Sequence, residues 1–344
     1  MALWTDVIDP ADLTGYARES LIAYEADRGS LSAFLPDRPV NDTVARFVQG
    51  ANGLVDVAEY RAYDAETSIG DSLNGQRVTV ELPPLGRKYH NSEYDQLRLV
   101  GRQGDDALVQ STADRLAAQA ARAVSDRLER MRGVVLETGK ATVNENGFIA
   151  EADFGRDEKL NVTLNKKWTE SDASPVDDIR AWADLYADTN GVEPGALVMS
   201  NKAISLLARS EAVRSLAGFG GATPGVLSVD QLNLILQSHE LPAIQRYNRR
   251  VQVAGKTERV IGEDTVLLLP AAADDWQGTE LGATFWGTTL ESVDPRYSIP
   301  FADQPGLVVG AYREDDPLTV WVRSAAIALP VLANANLSMA IKVA

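Results

Sequence analysis

The sequence predicts an α+β fold, and three features carry that prediction. A single amphipathic stripe marks a long helix over Leu108 to Gly139. Helix and strand signals alternate from Ser174 to Pro270, the pattern of a compact mixed unit. Ahead of the long helix, Val55 to Leu99 reads as a two-stranded excursion.

Composition sets the bounds. The 344 residues leave room for two or three domains, and 45% hydrophobic against 24% charged residues is ordinary globular usage. Forty-nine acidic residues against 33 basic ones give a net charge of −16. A sequence-specific nucleic-acid binder carries a basic footprint, because phosphate neutralisation supplies much of its affinity, and this chain lacks one. With no cysteine, disulfides and thiolate metal sites are excluded. Met1 to Asp6 has neither a cationic nor an apolar region of the kind a signal peptide needs. No run of about 18 uncharged apolar residues occurs, so no membrane-spanning helix is expected. These readings point to a soluble protein that folds in a reducing cytoplasm.

Asp12 to Ala26 reads as a short helix, with turn signals after it at Arg28-Gly29 and Pro36-Asp37-Arg38-Pro39. Its apolar positions Leu13, Tyr16, Leu21 and Tyr24 are too few for a core of their own, so residues 1–50 are expected to form a lead-in. In the excursion, Val55, Val57 and Tyr60 to Tyr63 form the outgoing strand, and Arg77 to Leu82 alternates polar and apolar as the return strand. Asp64 to Gly75 is the polar tip. Such a ribbon is marginal alone, and its open edges are templates for another chain. The other reading packs it on its own domain.

In the long helix Val109, Ala113, Leu116, Ala120, Val124, Leu128, Met131 and Val135 recur at spacings of three and four. Asp105 and Asp106 suit the positive end of its dipole, and Gly139 follows its end. Arg115, Arg122, Arg127 and Arg130 lie on its other faces. Ala141 to Val143 and Phe148 to Ala150 are strands around an Asn144-Glu145-Asn146-Gly147 turn. Ser174, Pro175 and Asp177 open a capped helix, Ala196 to Met199 is a buried strand, and Asn201 to Ala217 a helix. Ser228 and Gln231 form a second capping box. Ile244 to Val253 and Thr265 to Leu269 are strands around a Gly255 turn. Thr319 to Val322 and Leu337 to Val343 are late strands, expected to rejoin the sheet near Lys140 to Ala150.

No catalytic constellation emerges. The two histidines, His90 and His239, lack a second histidine at ligand spacing. Gly218 to Gly225 is glycine-rich but lacks the Gly-Lys-Ser/Thr ending of a phosphate loop. The acidic pairs Asp177/Asp178, Asp274/Asp275 and Asp315/Asp316 fall in turns or at a helix start, where acids are solvated or capping. No catalytic, cofactor or metal residues are assigned, and the chain is not expected to be an enzyme.

Several short stretches point elsewhere: Asp153-Phe154-Gly155-Arg156 after the long helix, Pro175-Val176-Asp177-Asp178-Ile179, and Leu329-Pro330-Val331-Leu332. Pro83-Pro84-Leu85-Gly86-Arg87-Lys88-Tyr89, followed by Leu97-Arg98, joins them. In these stretches the chain resembles the lambda-type tailed-phage major capsid proteins, the major capsid protein E family, which have the Hong Kong 97-like fold. The resemblance implies an N-terminal arm over 1–54, an extended loop over 55–100 and a peripheral domain over 101–173 containing a spine helix at 108–139. It further implies an axial domain over 174–300 and a return to the peripheral domain over 301–344. In this reading the arm lies on neighbouring subunits, Leu116, Val124 and Leu128 form the spine core, and Tyr63, Asp64, Arg77, Arg87 and Lys88 make intersubunit contacts.

The implied product is a virion shell of hexamers and pentamers around double-stranded DNA, contacted without sequence specificity and assembled in the host bacterial cytoplasm. The implied partners are further copies of the chain, a separate scaffolding protein, a portal and a decoration protein, with no membrane. Some relatives weld subunits through a lysine–asparagine bond. Lys88, the ribbon's one lysine, lies at its base, so that cross-link is not expected. Two alternatives stay open at this point: an encapsulin-like cellular nanocompartment shell, and a monomeric α/β enzyme.

Overall fold

A computed structural model describes residues 2, 3, 5, 8–50, 75–99, 105–145, 147–218 and 225–344. The long helix organises the rest. It runs Asp105–Thr138, beginning slightly before the predicted Leu108, and spans about 51 Å at 1.5 Å per residue. Beyond its end the Gly139 amide returns to the Val135 carbonyl at 2.8 Å. Ala113, Leu116, Ala117, Ala121, Val124 and Leu128 are buried on one face. They pack against Val309, Ala311, Val322, Ala326 and Ala328; the small alanines on both sides let helix and strands approach closely. Met131, Val135 and Leu136, one turn on, belong to a different and larger core. The spine helix therefore bridges two cores.

The first core lies under a seven-stranded sheet built on the long strand Leu318–Leu332. Val308–Asp315 pairs antiparallel with its first half, and Gly282–Trp286 with residues 328–332. Pro84–Leu85 and Lys88–Asn91 pair with it as well. The predicted helix at 12–26 runs Pro10–Arg28 and is capped by Asp9, whose carboxylate accepts from the Ala11 amide. It is not a free lead-in. Leu13 and Ala17 are fully buried in the core that the spine helix makes. The Thr14 hydroxyl donates to the Val309 carbonyl at 3.0 Å and accepts from its amide at 3.1 Å.

The second core surrounds a five-stranded sheet, in the order Ile244–Arg246, Ala196–Met199, Thr265–Leu269, Met339–Lys342, Asn161–Thr163. The two late strands thus do not rejoin the chain near Lys140 to Ala150, which is a separate hairpin of Lys140–Glu145 and Phe148–Asp153. Instead Met339–Lys342 lies between Thr265–Leu269 and Asn161–Thr163. Its apolar Met339, Ala340 and Ile341 fit a strand buried on both faces.

Helix Pro175–Asn190 opens with Pro175 in its first turn, but the Ser174 side chain makes no capping bond. The helix expected over 201–217 is two, Asn201–Arg209 and Glu211–Leu216, broken at Ser210 with ψ 131°. Serine competes with the helix backbone for hydrogen bonds and favours such junctions. The Ser228–Gln231 capping box forms as predicted. Arg250–Val253 and Lys256–Arg259 form a hairpin around Gly255. Of the glycine-rich segment, residues 219–224 lie outside the described residues.

Leu128 is 3% exposed at the end of the first core. Leu128→Ala is expected to cost about 2–5 kcal/mol, read by urea denaturation of the unassembled subunit. Arg122→Ala, on the exposed flank, should shift stability far less; equal curves for Leu128→Ala and the parent would show that this face carries no packing energy.

Candidate functional site

The return strand of the excursion is Gln76–Glu81, and it pairs antiparallel with Val44–Gln49, Val44 opposite Glu81 and Gln49 opposite Gln76. The outgoing strand expected at Val55 to Tyr63 lies outside the described residues, as do Tyr63 and Asp64. Alternation works as predicted. Ala45, Phe47, Val80 and Leu82 face the larger core, while Arg46, Val48, Arg77, Thr79 and Glu81 are exposed. Phe47 holds the ribbon's base, its ring centroid 6.3 Å from Phe154 and 6.4 Å from Phe285. Among the described residues neither strand has a further partner.

After Leu82 the chain lies along the long strand, with Leu85 opposite Ala326 and Lys88 to Asn91 opposite Arg323 to Val320. Gly86 is required there, because a Cβ would stand 2.4 Å from the Ser324 carbonyl oxygen. The Arg87 amide donates to Ser324 Oγ at 3.1 Å, and the Ser324 amide to the Arg87 carbonyl at 2.8 Å. These bonds leave the side chains of Arg87 and Lys88 exposed. The Lys88 ammonium lies 4.8 Å over the Trp321 ring, and the His90 ring lies tilted against the same ring, 4.6 Å between centroids. Of the expected contact residues, Arg77 is therefore on the ribbon, and Arg87 and Lys88 are on the return segment. His239 ends helix Val229–Ser238, its Nδ1 2.8 Å from an Arg180 nitrogen.

Leu116, Val124 and Leu128 lie on the buried face as expected. Where the spine passes between the two cores, however, it carries charge. The Glu129 and Arg132 side chains are 0% and 2% exposed and 3.1 Å apart. Glu129 Oε1 accepts from the Leu31 amide at 2.7 Å and the Tyr247 hydroxyl at 2.5 Å; Oε2 accepts from Ser30 Oγ at 3.0 Å. Arg132 donates to Thr284 Oγ1 at 2.9 Å and to Asp37 at 2.7 Å. Arg249, 1% exposed at its side chain, donates to Asp126 at 2.9 Å and to the Gly29 carbonyl at 3.1 Å. Burial works against the Arg132 charge, but Asp37 and Glu129 outweigh it and raise its pKa. Burial and the neighbouring Glu129 push the Tyr247 hydroxyl far above the ordinary tyrosine range, so it stays a donor. Sequence reasoning missed this cluster. Glu129 and Arg132 lie beside the stripe of Leu128, Met131 and Val135 and not within it, so they read as solvent-facing.

The Asp153-Phe154-Gly155-Arg156 motif serves the far end of the spine. Phe154 is buried, and Arg156 donates to the Leu136 carbonyl at 2.7 Å and the Glu137 carbonyl at 2.5 Å. Carbonyls of a last helical turn have no donor within the helix. The same guanidinium reaches Asn161 Oδ1 at 2.6 Å and Ser338 Oγ at 3.1 Å, tying the helix end to the five-stranded sheet. Burial lowers the Arg156 pKa to about 10, which still leaves it charged at neutral pH.

Removing one member of a buried pair strands the other's charge. Glu129→Leu and Arg132→Leu should each destabilise by about 3–5 kcal/mol, and the double variant by clearly less than the sum. Additive costs in a denaturant double-mutant cycle would show that the two charges do not act as a pair.

Among the described residues no three histidine or acidic side chains come together as a metal site, and no helix is long and apolar enough to cross a membrane. No curated protein sequence matches the chain. A protein assigned as the capsid protein of an E. coli CFT073 prophage superposes with a TM-score of 0.67 at 17% identity, over 98% of this chain and 99% of that one. A phage-related protein of Bordetella bronchiseptica RB50 gives 0.59 at 16%, over 99% and 98%. A capsid structure of cyanophage P-SCSP1u gives 0.50 at 12%, over 92% and 89%. At these identities the superpositions show the fold, which is Hong Kong 97-like. The family comes from the sequence itself, because residues 26–343 match the model of phage major capsid protein E. That match places the chain in the phage major capsid protein E family, as a shell-forming capsid protein and part of the virion.

Proposed function

We propose that this protein builds an icosahedral shell of hexamers and pentamers around double-stranded DNA, with the ribbon as an intersubunit device. One observation carries the reading: the sheet of Val44–Gln49 and Gln76–Glu81 has two strands only, one face on the core and both edges unpaired among the described residues. The larger core supports the base of the ribbon on one face, as the alternative of packing on its own domain expected, and its open edges invite another chain. Closed symmetric rings and their quasi-equivalent variants supply that chain many times over. Tyr63, Asp64, Arg77, Arg87 and Lys88 are the proposed contact residues.

We assign the unit around the five-stranded sheet to the axial position and the unit around the spine and seven-stranded sheet to the peripheral one. On that assignment Asn161–Thr163 and Met339–Lys342 go with the axial unit, and Gly282–Trp286 with the peripheral one. A separate scaffolding protein, a portal and a decoration protein complete the proposed partners, with assembly in the host bacterial cytoplasm. The net charge of −16 suits a wall that confines DNA without holding it.

Deleting Asp64 to Gly75 should leave a folded subunit that forms no closed shells by electron microscopy; normal particles would sink the ribbon's role. The unassembled subunit should show no measurable affinity for duplex DNA at physiological salt. A salt-dependent, sequence-selective complex in an anisotropy titration would contradict confinement without recognition.

A further inference from the structure

We infer that the cavity between helix Pro10–Arg28 and the spine helix docks a partner protein that is not a shell subunit. The segment it takes carries bulky apolar side chains next to lysine or arginine. The cavity encloses about 300 Å³. Small-ligand pockets begin at about that volume, so it takes one or two side chains. Leu21, Leu128, Trp286 and Leu307 wall it. Large apolar side chains also stand outside it: Ile22 on its rim is 72% exposed, and Phe301, four residues before the Pro305 wall, is 70% exposed. Exposed apolar surface rimmed by polar groups marks an interaction site.

The charges around the cavity decide what it selects. Of the two bases that line it, neither is free. Arg18 donates to the Leu307 and Asp303 carbonyls, both at 2.9 Å, and Arg132 is held by Asp37 and Glu129. The acids are less committed. Asp37 is exposed and meets Arg132 through one oxygen only. Glu25, half-buried, accepts from Ser125 Oγ at 2.6 Å and has no lysine or arginine at ion-pair distance among the described residues. Glu19, one turn before Ile22, adds an exposed carboxylate. An apolar cavity beside uncommitted acids, in a chain of net charge −16, selects an occupant that is both apolar and basic.

Two other occupants fit less well. Residues 51–74 of a further copy carry Asp56, Glu59, Asp64, Glu66 and Asp71 against the single base Arg61, so like charge opposes them. Duplex DNA is opposed for the same reason. An apolar side chain seated against Trp286 and Leu128, with a lysine or arginine beside Glu25, satisfies both features of the cavity. It removes apolar surface from water and gives Glu25 a cation of its own. Binding energy at interfaces concentrates on such anchors in pockets, while charges at the rim set encounter and selectivity more than affinity. Exposed charges are screened beyond about 8 Å at physiological ionic strength. Added salt should therefore slow association and leave the anchor's share of the affinity.

The test titrates a short fluorescent peptide of leucine and lysine, its leucines at helical spacings of three and four, into unassembled full-length subunit, followed by anisotropy. The parent should bind it. Glu25→Lys and Ile22→Lys should each weaken binding about tenfold or more. Glu193→Lys, an exposed position after helix Pro175–Asn190, should leave binding unchanged. The same peptide with glutamate for lysine should bind the parent poorly and the Glu25→Lys subunit better. Circular dichroism checks folding. Ile22→Lys, a change at an exposed position, carries the test where Glu25→Lys, which strips an acceptor from Ser125, fails to fold. No binding to the parent, or equal binding of the two peptides, would overturn the inference. Equal loss from Glu193→Lys would reduce the effect to the chain's general acidity and overturn it as well. Displacement by a peptide of residues 51–74 would give the cavity to a second copy instead.

Discussion

The architecture depends on one constraint: the spine helix must pass from one hydrophobic core to another without losing its register on either. Glu129 and Arg132 occupy that crossing. Burying two opposite charges rarely adds stability over an apolar pair, so the energetic reason for them is weak. Their geometric effect is larger. Their partners come from Ser30, Leu31 and Asp37, from Tyr247 and from Thr284, three stretches far apart in sequence. Apolar packing at this point would tolerate sliding by a fraction of a side chain. A carboxylate with four donors and a guanidinium with fixed directions do not, because any slide leaves a buried polar group unpaired.

The same economy appears at the spine's far end and along its neighbours. Arg156 satisfies two terminal carbonyls while reaching Asn161 and Ser338 beside two strands of the five-stranded sheet. At Gly133 a Cβ would stand 2.2 Å from the Val260 carbonyl oxygen, so the segment after the 250–259 hairpin lies directly on the helix backbone. Together with Tyr247 and Arg249, these contacts join the five-stranded unit to the helix at several fixed points. A subunit repeated many times in a curved wall needs the angle between its halves to be the same in every copy, and directional contacts define an angle better than dispersion does.

Much of this was legible in the sequence, for identifiable reasons. The spine's stripe, the alternation at Arg77 to Leu82 and the Ser228–Gln231 box are local patterns, and local patterns survive into the fold. The short stretches around Asp153 to Arg156 and Pro83 to Tyr89 carried the family. What could not be read was non-local. Nothing near Met339–Lys342 reveals that it pairs with Thr265–Leu269 and Asn161–Thr163. The break at Ser210 is invisible to a period count, because the apolar positions on either side keep nearly helical spacing. Residues 10–28 looked too poor in apolar side chains to fold back, since a core shared with another helix is not visible from one of its halves. Glu129 and Arg132 were passed over because charge on a helix is ordinarily solvent-facing.

The chain's acidity sets a further constraint on assembly. Uniform negative charge keeps identical subunits soluble and apart, yet these subunits must meet in large numbers. Only faces complementary in charge and shape overcome that repulsion. Specificity then comes as much from repulsion between mismatched faces as from attraction between matched ones, and each contact can stay modest. Modest contacts allow a misplaced subunit to leave before the shell closes around it, whereas a strong apolar patch would trap the error.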